Sequence, residues 1–239
     1  MSAYAKYLSY GKFDRTDPLG NVSGTFSGGD FVFGAGYGYQ FSKYFSVGAN
    51  LNILYSQLES YKSFGMAVDL AATFHHEKSQ ILLTAMVKNA GVQLVGYTKG
   101  KREPLPINLM VGFSYKVHKA PFRLSIIFHN LQKWDLSYND PSILPTTDPL
   151  TGELIEVKKA NFGEKLMRHI NLGLEVLIGK YVHLRTGFNY HRRKEIEVTG
   201  RPGIGGLSFG LGLRFKKFHF DYAFAMHSNA GFNNMIGIS

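Results

Sequence analysis

The chain holds nine histidines and no cysteine, so thiolate chemistry is excluded and proton chemistry falls to imidazole and carboxylate groups. His129, His183, His191, His219 and His227 are candidate general bases, because an imidazole changes charge near neutral pH. A hydrolytic triad also needs an activated hydroxyl and an orienting carboxylate converging on that base, and no serine stands at a spacing that pairs it with one of these histidines. The expectation is therefore a non-enzymatic protein with no catalytic residue. His75-His76 stands at a strand end without the further ligands a zinc site requires, so neither a metal nor a cofactor is expected. Gly34, Gly36 and Gly38 recur at every second residue. A loop that cradles phosphate has a different spacing and opens a helix. The run His191-Arg192-Arg193-Lys194 reads either as the solvated end of a strand or as a contact for lipopolysaccharide phosphates or a protein partner.

The elements that carry these groups are strands. From Ile170 to Ile178 the even positions are Ile, Leu, Leu, Val and Ile, and Asn171, Gly173, Glu175 and Leu177 lie between them. After Gly179-Lys180, Val182, Leu184, Thr186, Phe188 and Tyr190 alternate with His183, Arg185, Gly187, Asn189 and His191. Leu207 to Phe215 and Phe218 to Met226 repeat the pattern. Strand side chains alternate faces with period two, so each run has one apolar face and one face of charged and very small residues.

A soluble sandwich would turn the apolar face inward. Its outer face is then expected to carry Thr, Lys and Glu rather than Gly173, Gly187, Gly210, Gly212, Ala223 and Ala225. Small residues mixed with charge suit a crowded wet interior, and an apolar exterior around a polar interior is the pattern of a transmembrane β-barrel. On this reading Asp69, Lys88, Lys116, Arg123, His129, Glu175, Arg185, Arg214 and Asp221 face the interior. Because buried charges need partners, they are expected to form a salt-bridged network rather than to line an open pore.

Composition agrees with an all-β chain. There are 27 Gly, 19 Phe, 14 Tyr and a single Trp, and no apolar run approaches the ~20 residues of a membrane helix. The net charge of +10 is dispersed over strand ends and polar faces. Anionic lipid or lipopolysaccharide is therefore expected as a partner rather than nucleic acid. No signal peptide precedes the first strand, so an exported barrel would be present here in a mature or trimmed form.

Further strands are read at Ala3–Phe13, Phe31–Phe41, Phe45–Tyr55, Phe64–Phe74, Ile81 to about Tyr97, Ile107–Val117, Phe122 to about Tyr138, and Phe232–Ile238. Lys88-Asn89-Ala90-Gly91 interrupts the run that starts at Ile81, as a bulge or kink does. The links alternate in length, except for the last, Asn229-Ala230-Gly231. Those from Asp14 to Asp30 and from Asn139 to Arg168 are long, whereas Ser42-Lys43-Tyr44, Gly179-Lys180 and Lys216-Lys217 are short. Outer-membrane barrels show this parity, with short periplasmic turns and longer outer loops. Ala160 to Met167 is long enough for a turn or two of helix. Trp134, near the outer end of its strand, reads as an interfacial anchor or, with Tyr138, Asn139 and the following loop, as a docking surface.

The segment Asn130-Leu131-Gln132-Lys133-Trp134-Asp135-Leu136-Ser137-Tyr138 resembles the PorV/PorQ family of Bacteroidetes outer-membrane proteins of the type IX secretion system. Tyr10-Gly11-Lys12-Phe13-Asp14-Arg15-Thr16-Asp17, Tyr55-Ser56-Gln57-Leu58-Glu59-Ser60-Tyr61 and Lys88-Asn89-Ala90-Gly91 extend the resemblance. So do Glu103-Pro104-Leu105-Pro106, Ala120-Pro121-Phe122-Arg123 and Arg168-His169-Ile170, and together they cover nearly the whole chain. The resemblance implies an antiparallel transmembrane β-barrel in the bacterial outer membrane, similar to the fatty-acid transporter fold. About twelve of some fourteen strands would be present. It also implies one barrel domain over residues 1–239 that lacks a signal, a plug-like segment and its first strands. The implied role is non-enzymatic: holding a PorZ-like surface protein at the outer leaflet. Trp134, Tyr138, Asn139, His191, Arg192, Arg193 and Lys194 are the expected contacts with that partner. The fold it resembles leaves a second function open, a channel for hydrophobic ligands with an exit at Asn89-Ala90-Gly91.

Overall fold

The structure is a computed structural model and describes residues 1–98, 100–138, 146–147, 154–155, 160–196, 205–215, 218–228 and 231–238. Its elements in chain order are β1 (Ser2–Thr16), β2 (Val22–Gln40), β3 (Phe45–Leu58), β4 (Tyr61–His76), β5 (Ile81–Val95), β6 (Asn108–Lys116) and β7 (Phe122–Phe128). The two-residue strands β8 (Thr146–Thr147) and β9 (Leu154–Ile155) pair with each other, and α1 (Phe162–Arg168) follows. Then come β10 (Ile170–Ile178), β11 (Val182–Asn189), α2 (Tyr190–Glu195), β12 (Leu207–Phe215), β13 (Phe218–Ser228) and β14 (Gly231–Ile238). Twelve of the strands form one antiparallel sheet in the order β1-β2-β3-β4-β5-β6-β7-β10-β11-β12-β13-β14, with β1 and β14 at its two ends. The fold is thus all-β, and the expectation of a barrel goes one step further than this strand order. No helix among the described residues is long and apolar enough to cross a membrane, which says nothing of strands.

The chain divides into two compact units, Met1–Gly112 and Phe113–Ser239. In the first, the run of β-branched and aromatic residues on alternate positions builds long strands. Phe31, Phe33 and Tyr37 on β2 pair with Tyr55, Ile53 and Ala49 on β3, and these pair in turn with Phe64, Met66 and Leu70 on β4. The β4–β5 register steps between Val68 and Leu70, so that Lys88 and Asn89 together oppose Asp69. Asn89 takes the left-handed φ of 58° that such a bulge requires.

In the second unit β7, β10, β11, β12 and β13 pair as successive antiparallel neighbours. Leu124, Leu174, Thr186, Phe209 and Phe224 stand in one row across them, and Ser125, Gly173, Gly187, Ser208 and Ala225 in the next.

Among the described residues, Ala67 is the one buried hydrophobic side chain. A soluble sheet buries its apolar face under another layer. Here Phe33 is 55% exposed, Leu172 47% and Phe209 50%.

Four expectations need correction. The link from Asp14 to Asp30 is not long: β1 and β2 pair from Ser2↔Gly36 out to Thr16↔Val22. The turn is tight because the Asp17 Oδ1 accepts from the Leu19 and Asn21 amides at 2.9 and 2.8 Å. The ribbon shifts register between Ser9 and Gly11 and between Arg15 and Thr16. The strand expected from Phe122 to Tyr138 stops at Phe128, because Asn130 is left-handed at φ 55° and the Lys133 amide closes a turn onto the Asn130 carbonyl at 3.0 Å. Strand β5 ends at Val95 rather than Tyr97. His191-Arg192-Arg193-Lys194 belongs to helix α2, not to a strand end, because the Asn189 side chain caps the Arg192 amide at 2.8 Å.

Candidate functional site

The polar face of the second unit carries a continuous chain of ion pairs. Register sets Arg123 opposite Glu175, and Glu175 opposite Arg185. Arg123 Nη1 donates to Glu175 Oε2 at 2.9 Å, and Arg185 Nε donates to Glu175 Oε1 at 2.9 Å. His183 Nδ1 lies 3.2 Å from the same Oε1. Arg185 also reaches across β12, where Nη1 donates to Asp221 Oδ1 at 2.6 Å. That reach exists because Gly210 faces Arg185 and Gly212 faces Asp221. A Cβ on Gly212 would lie 2.9 Å from Asp221 Oδ1 and 3.3 Å from an Arg185 nitrogen. Small residues beside charges are thus the space through which long side chains pair.

Two arginines and two carboxylates balance in this chain, and the Glu175 side chain is only 13% exposed. Of the residues expected in one network, Arg123, Glu175, Arg185 and Asp221 are brought together. His183 is an addition, and its signal was its position one alternation from Arg185. Lys116 and Arg214 are not in the network. They line a cavity toward the β6–β7 and β10–β11 turns.

Asp69 belongs to a separate hydrogen-bond network in the first unit, whose other members are neutral groups. Its Oδ1 accepts from the Asn89 amide at 2.7 Å, and its Oδ2 from Asn52 Nδ2 at 2.8 Å. Asn50 Nδ2 donates to Asn52 Oδ1 at 2.7 Å, and the Tyr4 hydroxyl donates to the same oxygen at 2.6 Å. The bulge at Lys88-Asn89 therefore turns a backbone donor onto a carboxylate, while Lys88 itself is exposed. Tyr4 gave no signal in the sequence, because β1 alternates weakly.

His129 departs from its expected role. It is buried beyond the end of β7 in a cluster of aromatic rings rather than in the charge network. The His129 and His191 rings are 6.2 Å apart, and His129 and His169 6.5 Å. His169 is 2% exposed, with Nδ1 2.8 Å from the His129 carbonyl and Nε2 2.9 Å from the Trp134 carbonyl. A carbonyl only accepts, so both contacts are hydrogen bonds only when each ring nitrogen carries a proton. Trp134 packs on His169 and on Phe162 of α1, each with centroids 5.4 Å apart. Burial pushes the His129 imidazole below its usual range, helped by the neighbouring His191 and His169. Burial also lowers His191, against the pull of Glu195.

The residues expected to meet a partner surround this cluster. Trp134 is half-exposed, and Tyr138 is 80% exposed. Asn139 lies outside the described residues. His191 and Arg192 both pair with Glu195 at 3.1 Å within α2. Arg193 stands on the same helix, with its Cβ near Gly206, and Lys194 follows it. Asp135 and Lys165 pair at 2.6 Å and tie the turn after β7 to α1. The bond from Lys165, with those from Ser137, holds the Asp135 carboxyl far below the ordinary range. The sequence did not point to this pair, because the long link separates its members.

One serine does meet a histidine: Ser79 Oγ lies 2.7 Å from His76 Nδ1. The Ser79 amide also approaches that nitrogen at 3.2 Å, and Tyr44 stacks on the ring. The contact therefore closes the turn between β4 and β5. Among the described residues no group of three His, Asp or Glu side chains is placed to hold a metal ion.

No family model and no curated protein matches the chain.

Proposed function

We propose that the chain is an outer-membrane β-barrel component of the type IX protein secretion system that anchors a PorZ-like surface protein. The sequence resemblance supplies the family. The observation that carries the membrane reading is the exposed apolar face, with Leu172, Leu184 and Phe209, set against the paired charges Glu175 and Arg185 on the opposite face. Water on both sides would leave the apolar face unsatisfied. At ~25 cal/mol per Å², such a face favours transfer into hydrocarbon. Strands β1 to β5 are each longer than the 9–11 residues that cross a bilayer at a tilt, so in this reading their ends stand outside it. Outer-membrane lipid and lipopolysaccharide meet the apolar face and its rims. The surface formed by Trp134, Tyr138, α1 and α2 offers aromatic and basic groups to a protein partner.

A channel for hydrophobic ligands is the second reading. An apolar groove of about 420 Å³, lined by Phe113, Leu124, Leu172 and Phe188, favours it. The bulge at Asn89 does not favour it, because its amide is engaged by Asp69. Isolation of the protein from native outer membranes in mild detergent tests both. A stoichiometric surface protein that is lost when Trp134 and Tyr138 are changed to Ala supports the anchor. Recovery of the protein alone, with bound lipid, refutes it in favour of the channel. Recovery in the soluble fraction contradicts both readings.

A further inference from the structure

The charge balance of the second unit leaves a remainder. Arg123 and Arg185 are neutralised by Glu175 and Asp221. Beside them lies a cavity of about 710 Å³ lined by Lys116, Lys119, Arg123, Lys180, His183 and Arg214, with Pro121 and Leu177 at its wall. Lys116, Lys119, Lys180 and Arg214 make no side-chain hydrogen bond or ion pair among the described residues. Among the described residues no carboxylate lines the cavity. Four unneutralised cations around one concave space repel one another, and they raise the local concentration of any anion.

The position is set by the fold. Strand alternation puts Lys116, Arg123, His183 and Arg214 on the polar face, while Lys119 and Lys180 come from the turns after β6 and β10. The volume falls within the range of small-molecule sites and exceeds what one inorganic phosphate needs. Glu175 fixes Arg123 and His183 at the inner wall, so part of the lining is held in place before a ligand arrives.

The geometry points to a binding site for a phosphate-bearing ligand, placed at the short-turn end of the sheet. Guanidinium groups grip phosphate with paired donors, and ammonium groups serve as point charges. The chemistry is shared by a free diphosphate and by the headgroups of anionic phospholipid. The site stands on the residues of the second unit alone, so it holds whether or not the protein anchors a surface partner.

The test uses the full chain in zwitterionic detergent, titrated with inorganic pyrophosphate and, separately, with mixed micelles containing phosphatidylglycerol or only phosphatidylcholine. The wild type is expected to bind pyrophosphate or the phosphatidylglycerol micelles, and not phosphatidylcholine. Binding of pyrophosphate identifies a soluble ligand, and binding of phosphatidylglycerol alone a lipid headgroup. Lys116→Gln with Arg214→Gln should weaken the interaction at least about tenfold. Lys119→Gln with Lys180→Gln, two turn residues, gives a second variant should the first not fold. Lys78→Gln, in the turn between β4 and β5, removes a charge outside the cavity and should change nothing. Equal binding by wild type and both cavity variants, or equal loss with Lys78→Gln, overturns the site. Preferential binding of a hexaglutamate peptide over both phosphate probes overturns the phosphate assignment.

Discussion

Arg185 bonds Asp221 across a strand that contributes no side chain between them. Its Nη1 donates to Asp221 Oδ1 at 2.6 Å over Gly212 of β12, while its Nε holds Glu175 at 2.9 Å on the other side. One guanidinium thus ties β10, β11 and β13 together, and Glu175 extends the tie to Arg123 on β7.

Glu175→Lys should be the most damaging single change on this face. It removes the acceptor shared by Arg123, Arg185 and His183 and adds a like charge. Removing one partner of a buried pair costs about 3–5 kcal/mol. Because Arg123 and Arg185 are half-exposed, solvent screening brings the expectation down to about 1–2 kcal/mol. Unfolding in urea, or the temperature at which heat-resistant migration on a gel is lost, measures it. An unchanged transition would show that the pairs contribute nothing to stability.

Gly212→Val should uncouple Arg185 from Asp221 without substituting either residue. Its side chain would occupy the space between them. A double-mutant cycle with Arg185→Gln and Asp221→Asn reads the coupling. The coupling should be measurable in the wild type, at up to about 1 kcal/mol for a half-exposed pair, and near zero in Gly212→Val. Equal coupling in both backgrounds would mean that the bridge does not pass over Gly212.

Gly91→Ala should destabilise the first unit by about 1–3 kcal/mol. A Cβ there would overlap the Met66 carbonyl and Ala67, and backbone cannot move aside as a side-chain tip can. Thermal unfolding equal to wild type would rule out the close approach of β4 and β5 at this point.

The ring cluster over the ends of β7 and β10 should loosen in acid. The folded state holds His129 and His191 below their usual value of about 6.5. The unfolded chain therefore takes up more protons between that value and the depressed ones. Their contribution to stability is complete above about pH 6.5 and is lost as the pH falls below it. Trp134, the single tryptophan, stacks on His169 and reports the change by fluorescence. His169, the Asp135–Lys165 pair and the Arg192–Glu195 pair stay in place in the comparison with His129→Asn/His191→Asn, which also removes the contact of His191 with Glu195. The acid transition should be present in the wild type and absent in that variant. A transition of the same size in both would assign it elsewhere.

How much of this was legible follows from how local each signal is. Strands β10 and β12 lie where the alternation put them, at Ile170–Ile178 and Leu207–Phe215, because no glycine pair or turn residue interrupts their period. The pairing of Glu175 with Arg123 and Arg185 was accessible as an unassigned set of opposite charges on one face. The bridge to Asp221 was not, because it depends on β12 lying between and on Gly212 being empty. The β1–β2 ribbon was missed because β1 alternates weakly, and only pairing with β1 carries β2 back to Val22. The Arg192-Arg193-Lys194 run has no apolar period, so its helix is fixed by the Asn189 cap and was invisible as a pattern. His129 followed the alternation of its strand, which the left-handed Asn130 ends one residue later.

The central claim is that the apolar face meets lipid and the charged face does not. The direct measurement is quenching by brominated lipid of bimane probes on cysteines, introduced one at a time after reconstitution into vesicles. Cysteines at Leu172, Leu184 and Phe209 should be quenched, while those at Gly173, Gly187 and Gly210 should not. Quenching without regard to parity, or none at the Leu172, Leu184 and Phe209 positions, would contradict the account.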